Sequence, residues 1–390
     1  MQVLVLNAGS SSLRYRVLDP DTGEARVSGH IERIGEEHAR ISQSAGGDTR
    51  EEKVEVADHA EALELMHRLL DESGGVEVTA IGHRVVHGGP RLTRPVVVDD
   101  DVLAEIDRLA VFAPLHNPAG AAGIRSARAS YPEVPQVACF DTAFFADLPL
   151  AAATYAIDRD LAARHEVRRY GFHGLSHEYV AAEAARHLGR GVDELDQIVL
   201  HLGNGASASA IRGGRPAENS MGLTPVEGLV MGTRSGDLDP GLLPYLQRRA
   251  GLDPDAVDEL LNHRSGLLGL TGHTDFRDLD AAFDQGDATA QAAFEVYVHR
   301  LRKYVGAYLA VLCGADVITF TAGVGENNAR VRAAVCAGLD RLGVVLDQAR
   351  NRAPGDGARR ISADGSTVAV LVVPTDEELN IARKTAALVR

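Results

Sequence analysis

One segment near the start of the chain returns near its middle. Val3-Leu4-Val5-Leu6-Asn7-Ala8-Gly9-Ser10-Ser11 can be laid over Val199-Leu200-His201-Leu202-Gly203-Asn204-Gly205-Ala206-Ser207 at a constant offset, with matches at the aliphatic positions, one glycine and the last serine. Each copy reads as a buried strand, a tight turn of small residues and a second strand. Glycine lets backbone N–H groups come close to a ligand, and neighbouring hydroxyls add donors. Two readings stay open here: a pair of ordinary hairpins, or a pair of phosphate clamps facing each other across a cleft. At 390 residues the chain exceeds the roughly 100 to 200 residues of a usual domain, so two or three domains are expected.

The segments between the two copies alternate strand and helix. Residues 3–6, 13–18 and 25–34 read as strands, with Asn7 to Ser12 as the first turn and Pro20, Asp21 and Gly23 punctuating the next. Residues 58–72 read as a helix capped by Asp58, with Leu63, Met66, Leu69 and Leu70 on one face. A strand over 79–86, a helix capped by Asp99 or Asp100, a helix over 118–129 and a strand over 134–140 complete an α/β unit near residue 147. The second half adds a helix over 176–188, a Gly/Pro-rich span over 213–244 and an amphipathic helix over 290–313. The buried run Val317-Ile318-Thr319-Phe320-Thr321 then enters Ala322-Gly323-Val324-Gly325-Glu326-Asn327. Strand, glycine turn and helix N-terminus form a geometry for contacting an anion or nucleotide.

Charge decides which partners are excluded. Forty basic against fifty-five acidic residues leave a formal charge of −15, which repels a phosphate backbone, so nucleic acid is not an expected partner. An anionic substrate then requires positive charge gathered in one pocket. Three of the forty basic residues are lysines (Lys53, Lys303, Lys384) and none follows a glycine, which excludes the Walker A loop. Cys139, Cys313 and Cys336 are widely spaced in apolar runs, the pattern of reduced, buried thiols in a cytoplasmic protein. No apolar run reaches the roughly 18 residues of a membrane span and no leader precedes Gln2, so no membrane partner is expected.

Four segments combine glycine with His or Arg and little aliphatic bulk: Gly82-His83-Arg84-Val85-Val86-His87-Gly88-Gly89, Ala113-Pro114-Leu115-His116-Asn117-Pro118, Arg169-Tyr170-Gly171-Phe172-His173-Gly174 and Met231-Gly232-Thr233-Arg234-Ser235-Gly236-Asp237. Charge beside flexible backbone at strand ends suits loops built for a ligand. Arg84 follows a buried strand, where an unpaired guanidinium is costly, so it calls for an anion; an internal Asp or Glu would serve instead. His173 and His177 stand four apart, but Gly174 is expected to interrupt the helix and no HExxH pattern is present, so an imidazole donating to an anion is favoured over zinc. Asp141 and Glu377 follow strands, where open α/β sheets place ligands, and such carboxylates suit Mg²⁺. No G-x-S-x-G elbow is present. Glycine turns for phosphates, arginines for an anion and carboxylates for magnesium together describe phosphoryl transfer.

These motifs, with Asn7-Ala8-Gly9-Ser10-Ser11-Ser12, Phe140-Asp141-Thr142-Ala143-Phe144, Ser220-Met221-Gly222 and the stretches 320–327 and 374–383, resemble the acetokinase family, part of the acetate and sugar kinase, Hsc70 and actin superfamily. The resemblance covers essentially the whole chain. It implies a duplicated actin-like (ribonuclease H-like) α/β fold with the active site in the cleft between the halves, the first being residues 1–147 plus 380–390 and the second 148–379. It also implies direct, in-line and reversible transfer from ATP to acetate, giving acetyl phosphate and ADP, with Mg²⁺ or substituting Mn²⁺, in a cytoplasmic homodimer. Asn7 and Glu377 would organise the metal. Arg84 would hold the carboxylate, with Val86, Leu115, Phe172 and Pro225 around the methyl group. Arg14, the segment His201, Leu202, Gly203, Asn204 and Gly205, then Asp275, Phe276 and Arg277, and last Gly323, Val324, Gly325, Glu326 and Asn327 would contact the nucleotide. His173 and Arg234 would steady the phosphoryl group, with His116 nearby.

Acetate is already ionised at neutral pH and needs no base, so a positioning or magnesium-water role is expected for Asp141, which the family assigns to catalysis. Two residues depart from the family pattern: Arg14 stands where lysine is usual, and Phe145 where histidine is frequent. A propionate or butyrate kinase differs only by pocket volume, and a methylene changes discrimination by roughly 1 to 3 kcal/mol. A non-metabolic ATPase switch of the actin or Hsc70 kind is the reading from another class, and it has no need of Arg84 beside a small apolar pocket.

Overall fold

The uninterrupted aliphatic run Val3 to Leu6 forms a strand buried on both faces, whereas Leu13 to Leu18 buries Leu13, Tyr15 and Val17 and turns Arg14 and Arg16 outward. A computed structural model describes residues 1–9, 11–36, 38–73, 76–114 and 116–390. It divides into two units, Met1–Ala146 with Asp376–Arg390, and Asp147–Thr375.

The first unit is built on β1 (Val3–Ala8), β2 (Ser12–Leu18), β3 (Ala25–Glu32), β4 (Ala39–Ala45), β5 (Asp48–Val54), β6 (Ala80–Val85), β7 (Val96–Val97) and β8 (Gln136–Phe140). They form one sheet in the order β5-β4-β3-β2-β1-β6-β8-β7. The first five strands are an antiparallel meander, and β6 and β8 run parallel to β1. Strands β4 and β5 were not expected, because β5 is largely charged and exposed, the outer positions of β4 are polar, and only Ala39, Ile41 and Gln43 turn inward. One face buries Leu4, Leu6, Tyr15 and Ile31 against Leu63, Met66 and Leu69 of the helix His59–Glu72. Asp58 caps that helix, accepting from Ala60 N and Glu61 N.

Helix Glu377–Val389 lies against β1, β6 and β8. A Cβ on Gly82 would stand 2.5 Å from Thr385 Oγ1 and 2.6 Å from Ile381 Cγ2, so this approach requires glycine. The return of the chain begins at Asp376, earlier than the expected residue 380. Asp376 accepts from Leu379 N as the helix cap and from Arg16 Nη1 at 2.7 Å, which ties the start of the helix to β2.

The second unit contains β9 (Asp196–Leu202), β10 (Ala206–Arg212), β11 (Arg215–Asn219), β12 (Val317–Thr321), β13 (Arg359–Arg360) and β14 (Ala369–Val372), ordered β11-β10-β9-β12-β14-β13. Strand for strand this is β3-β2-β1-β6-β8-β7 again, antiparallel and parallel pairings included. Two α/β units of one strand order are what the duplicated actin-like fold implies. The repeated hairpins are not identical in register. The first closes at Ala8 opposite Leu13, so Asn7, expected in the turn, belongs to β1; the second closes at Leu202 opposite Ala206, leaving Gly203 in the turn.

Helix Gly174–Leu188 packs on β9 and β12, and helix Ala288–Leu312 on β9, β10 and β11. Gly174 opens the first of these rather than interrupting it, because His173 takes up the left-handed backbone (φ 57°) at the cap position. The expected glycine turn after β12 is absent: helix Ala322–Asn327 starts at once, with Ala322 at φ 63°. Among the described residues no helix is long and apolar enough to cross a membrane.

Candidate active site

In the first unit, four residues from distant parts of the sequence meet at the ends of β1, β6 and β8. Arg84 lies in β6; Asp141 follows β8, its N–H donating to Val85 O at 3.0 Å. Arg84 donates Nε to Asp141 Oδ1 at 3.0 Å and Nη2 to Asp141 Oδ2 at 2.8 Å, a two-pronged pair. Its Nη1 lies 3.5 Å from Asn7 Oδ1 and 3.4 Å from Glu377 Oε2. The anion that Arg84 calls for is therefore supplied internally. Burial alone would lower the guanidinium pKa, and the Asp141 and Glu377 carboxylates outweigh it and raise it. Burial raises the Glu377 pKa to about 7, with Arg84 pulling down and Asp141 pushing up. Arg14, paired in register with Asn7, adds its own attraction on Glu377 and donates Nε to His30 Nε2 at 3.3 Å. Val86 is half-buried beyond β6, and His116 occupies the cap position of helix Asn117–Ser130. Leu115 lies outside the described residues.

The second unit gathers imidazoles and a guanidinium around the turn Gly203-Asn204-Gly205. A Cβ built on Gly205 would stand 3.5 Å from His173 Nε2 and 3.6 Å from Arg234 Nη1, so the turn, the imidazole and the guanidinium share one spot. Arg234 is half-buried and donates Nη1 to Pro225 O at 3.4 Å; among the described residues it has no carboxylate within salt-bridge distance. Burial lowers its pKa. His173 stacks on His201, ring centroids 4.3 Å apart and planes 22° from parallel. His201 Nδ1 meets Ser176 Oγ at 2.8 Å, and Ser176 Oγ meets Thr375 Oγ1 at 2.8 Å. Phe172 is buried and Pro225 half-buried. The loop carrying Pro225 is braced by Arg169 and Tyr155 on Glu227, the latter contact at 2.5 Å. Among the described residues no group of three or more His, Cys, Asp or Glu side chains could hold a metal ion, and the His173/His177 pair is engaged with Ser207 instead.

The family model described as "Acetokinase family" matches residues 2–383. The chain belongs to the acetokinase family. It is 54% identical to an acetate kinase of Streptomyces coelicolor, spanning 100% of this chain and 97% of that one, and 56% identical to an acetate kinase of Leifsonia xyli over 98% and 97%. Among solved structures it resembles the acetate kinase of Porphyromonas gingivalis (TM-score 0.93, 40% identity, 100% of both chains) and a propionate kinase of Francisella tularensis (TM-score 0.94, 38% identity, 99% of both).

The segments expected to contact the nucleotide differ in what they expose. Leu202 is fully buried, so only its backbone faces the turn. Asp275 caps helix Phe276–Asp284 and its carboxylate closes on Arg277, which holds it near pKa 2 through hydrogen bonds from the Arg277 side chain and backbone N–H. Phe276 is buried edge-on against Tyr297. Gly323 is open to solvent, whereas Gly325 packs on Phe320. Glu326 accepts from Ala322 N at 2.8 Å and Thr375 N at 3.2 Å, which binds the short helix to the loop before Asp376. Asn327 donates to Gly323 O at 2.9 Å.

Sequence reasoning missed Arg332, which is 2% exposed and donates Nη1 to Gly325 O and Glu326 O and Nε and Nη2 to Asn351, fixing the short helix Ala322–Asn327 from behind. It also missed Ser207 and Ser209, whose spacing of two on β10 was the available signal of a shared buried face. Phe145, expected as a departure from the family pattern, is fully buried beside Phe144.

Proposed function

We propose that the chain transfers the terminal phosphoryl group of ATP to acetate, reversibly, giving acetyl phosphate and ADP. The observation that carries the reading is Arg234: a half-buried guanidinium with no carboxylate partner among the described residues, converging with His173 on the Gly205 turn. Negative charge spread over the oxygens of a phosphoryl group in transit is stabilised by such donors more than the ground state is. An acetate oxygen forms the new P–O bond as the bond to the ADP oxygen breaks, and no proton changes hands.

In the first unit, Asp141 fills the Nε and Nη2 edge of Arg84, so the substrate carboxylate would share Nη1 with its longer contacts to Asn7 Oδ1 and Glu377 Oε2. Asp141 is thereby a positioning group for Arg84 and not a base. Val86, Leu115, Phe172 and Pro225 would enclose the methyl group, as the family resemblance implies. The oxygen donors Asn7 Oδ1 and Glu377, near the Asp141 carboxylate, match an ion that takes one or two carboxylates beside phosphate oxygens. Asn7 and Glu377 would hold Mg²⁺, or Mn²⁺ in its place, and the bound ion neutralises phosphate charge. The turn His201 to Gly205, Asp275 to Arg277 and Gly323 to Asn327 contact the nucleotide, Arg14 its phosphates, and His116 lies beside the phosphoryl group. A homodimer in the cytoplasm completes the reading, supported by three free cysteines and by the outward Leu150, Ile157 and Leu161.

Hydroxylamine trapping with acetate, propionate and butyrate in turn tests the proposal. Acetate is expected to give the most hydroxamate; no carboxylate-dependent product removes the kinase reading, and a propionate maximum reassigns the substrate.

A further inference from the structure

A single hydroxyl sits between two imidazoles in the second unit. Ser207 Oγ lies 2.9 Å from His173 Nδ1 and 2.7 Å from His177 Nε2, and His177 Nδ1 lies 2.7 Å from Ser209 Oγ. A serine has one hydrogen to donate, and Ser207 is 0% exposed with no third hydrogen-bond partner for its hydroxyl among the described residues, so it donates to one ring nitrogen and accepts from the other. The protonation of His173 Nδ1 is therefore opposite to that of His177 Nε2.

His177 is 0% exposed, and burial together with nearby His201 lowers its pKa well below the ordinary value, so it is neutral and carries one N–H. If that hydrogen is on Nε2, it goes to Ser207, Ser207 gives its own to His173 Nδ1, and His173 carries its proton on Nε2. The opposite arrangement leaves a lone pair on Nε2, the atom that shares the Gly205 spot with Arg234 Nη1. Two donors converging there suit an oxyanion; a lone pair repels it. Stacking of His201 on the His173 ring, with His201 itself tied to Ser176 and Thr375, holds the ring plane in place.

We propose that Ser207, His177 and Ser209 form a hydrogen-bond relay that locks His173 in the Nε2–H tautomer and so makes it a donor to the phosphoryl group. The three are positioning residues, and the inference rests on the donor role given to His173 above.

The test combines tautomer spectroscopy with kinetics. In ¹⁵N-histidine spectra of the full chain, assigned by loss of signal in His173→Asn and His177→Asn, both rings are expected as Nε2–H tautomers. Ser207→Ala is expected to lower kcat on the order of 10- to 100-fold, the usual cost of losing an outer partner of a working imidazole, with KM for ATP within about twofold. Ser207→Thr, which keeps the hydroxyl, and His177→Gln, which keeps a donor toward Ser207, are expected to retain most of kcat. Melting temperatures report whether each variant folds, and the wild-type spectrum stands even if one does not. An Nδ1–H tautomer at His173 in the folded wild-type protein overturns the relay, as does a well-folded Ser207→Ala with wild-type kcat while His173→Ala is impaired. A His173→Ala with wild-type kcat defeats the donor reading itself.

Discussion

The two units carry the same strand order, and each gathers candidate site residues around the end of its first strand, β1 in one and β9 in the other, yet they treat charge in opposite ways. At the end of β6 the Arg84 guanidinium is met by Asp141 on two atoms and by Glu377 and Asn7 on a third. Beside the β9–β10 turn, Arg234 has among the described residues one side-chain hydrogen bond, at 3.4 Å to a carbonyl, and the nearby side chains include imidazoles and hydroxyls. A duplicated scaffold thus fixes where a site forms while leaving its electrostatics to a few side chains. The first site offers oxygen donors for a cation around one neutralised arginine. The second keeps a cation that has no carboxylate partner among the described residues.

Replacing the two arginine systems in turn separates function from stability. Arg234→Met is expected to lower kcat about 1,000-fold, the scale seen when an arginine serving a phosphoryl transition state is lost. The same change should leave melting nearly unaltered, since no buried partner is orphaned. Asp141→Asn leaves Arg84 short of its main partner and should cost about 3 kcal/mol of folding stability, the low end for a broken buried pair because Glu377 remains. Activity of Asp141→Asn should fall at every pH. Denaturant unfolding and pH–rate profiles of the two variants provide the check: an Arg234→Met protein that melts early, or recovery of Asp141→Asn activity at a shifted pH, breaks the contrast.

Much of this arrangement was legible in the sequence, one residue at a time. Asp58 and Asp99 act as the caps they resemble, and the run Val317 to Thr321 is a buried strand. Arg84 and Asp141 were each marked by their place after apolar runs, but their pairing was not, because 57 positions separate them and only parallel β6 and β8 bring them together. The same holds for His177, which showed its spacing from His173 but not that both rings bond to Ser207. Strands β4 and β5 were hidden by their polar and charged outer faces, and Arg332 by looking like any surface arginine until its helix turned it inward.

Each unit also buries a neutral histidine, and acid should expose the cost. His83 in the first unit is 3% exposed, its Nε2 2.8 Å from Gln136 Oε1, and burial pushes its pKa down to about 4. Unfolded, it titrates near 6.5, so between roughly pH 6.5 and 4 the unfolded chain binds a proton that the folded chain refuses. Stability from this group is complete above pH 6.5 and falls as the pH drops, by up to about 3 kcal/mol at pH 4. His83→Gln should flatten the pH dependence of unfolding over that window relative to wild type. Parallel curves for the two proteins would show that His83 is not a source of the acid sensitivity.

The smallest effect concerns the thiols and again separates positions by burial. All three cysteines were expected to be buried, yet Cys313 is exposed because it closes helix Ala288–Leu312 in a left-handed conformation (φ 61°) at the surface. Cys139 and Cys336 are buried, and burial pushes the Cys336 thiol up to about 12. Only the thiolate attacks an electrophile, so Cys336 is shielded by both access and charge. Titration of the native protein with a chromogenic disulfide should release one equivalent quickly, and Cys313→Ser should abolish that phase with no change in kcat. The remaining two equivalents should appear only on unfolding. A second fast equivalent in the native protein would mean that the strand holding Cys139 or the helix holding Cys336 opens on the timescale of the reaction, and comparison of Cys139→Ser with Cys336→Ser would assign that opening to the first unit or the second.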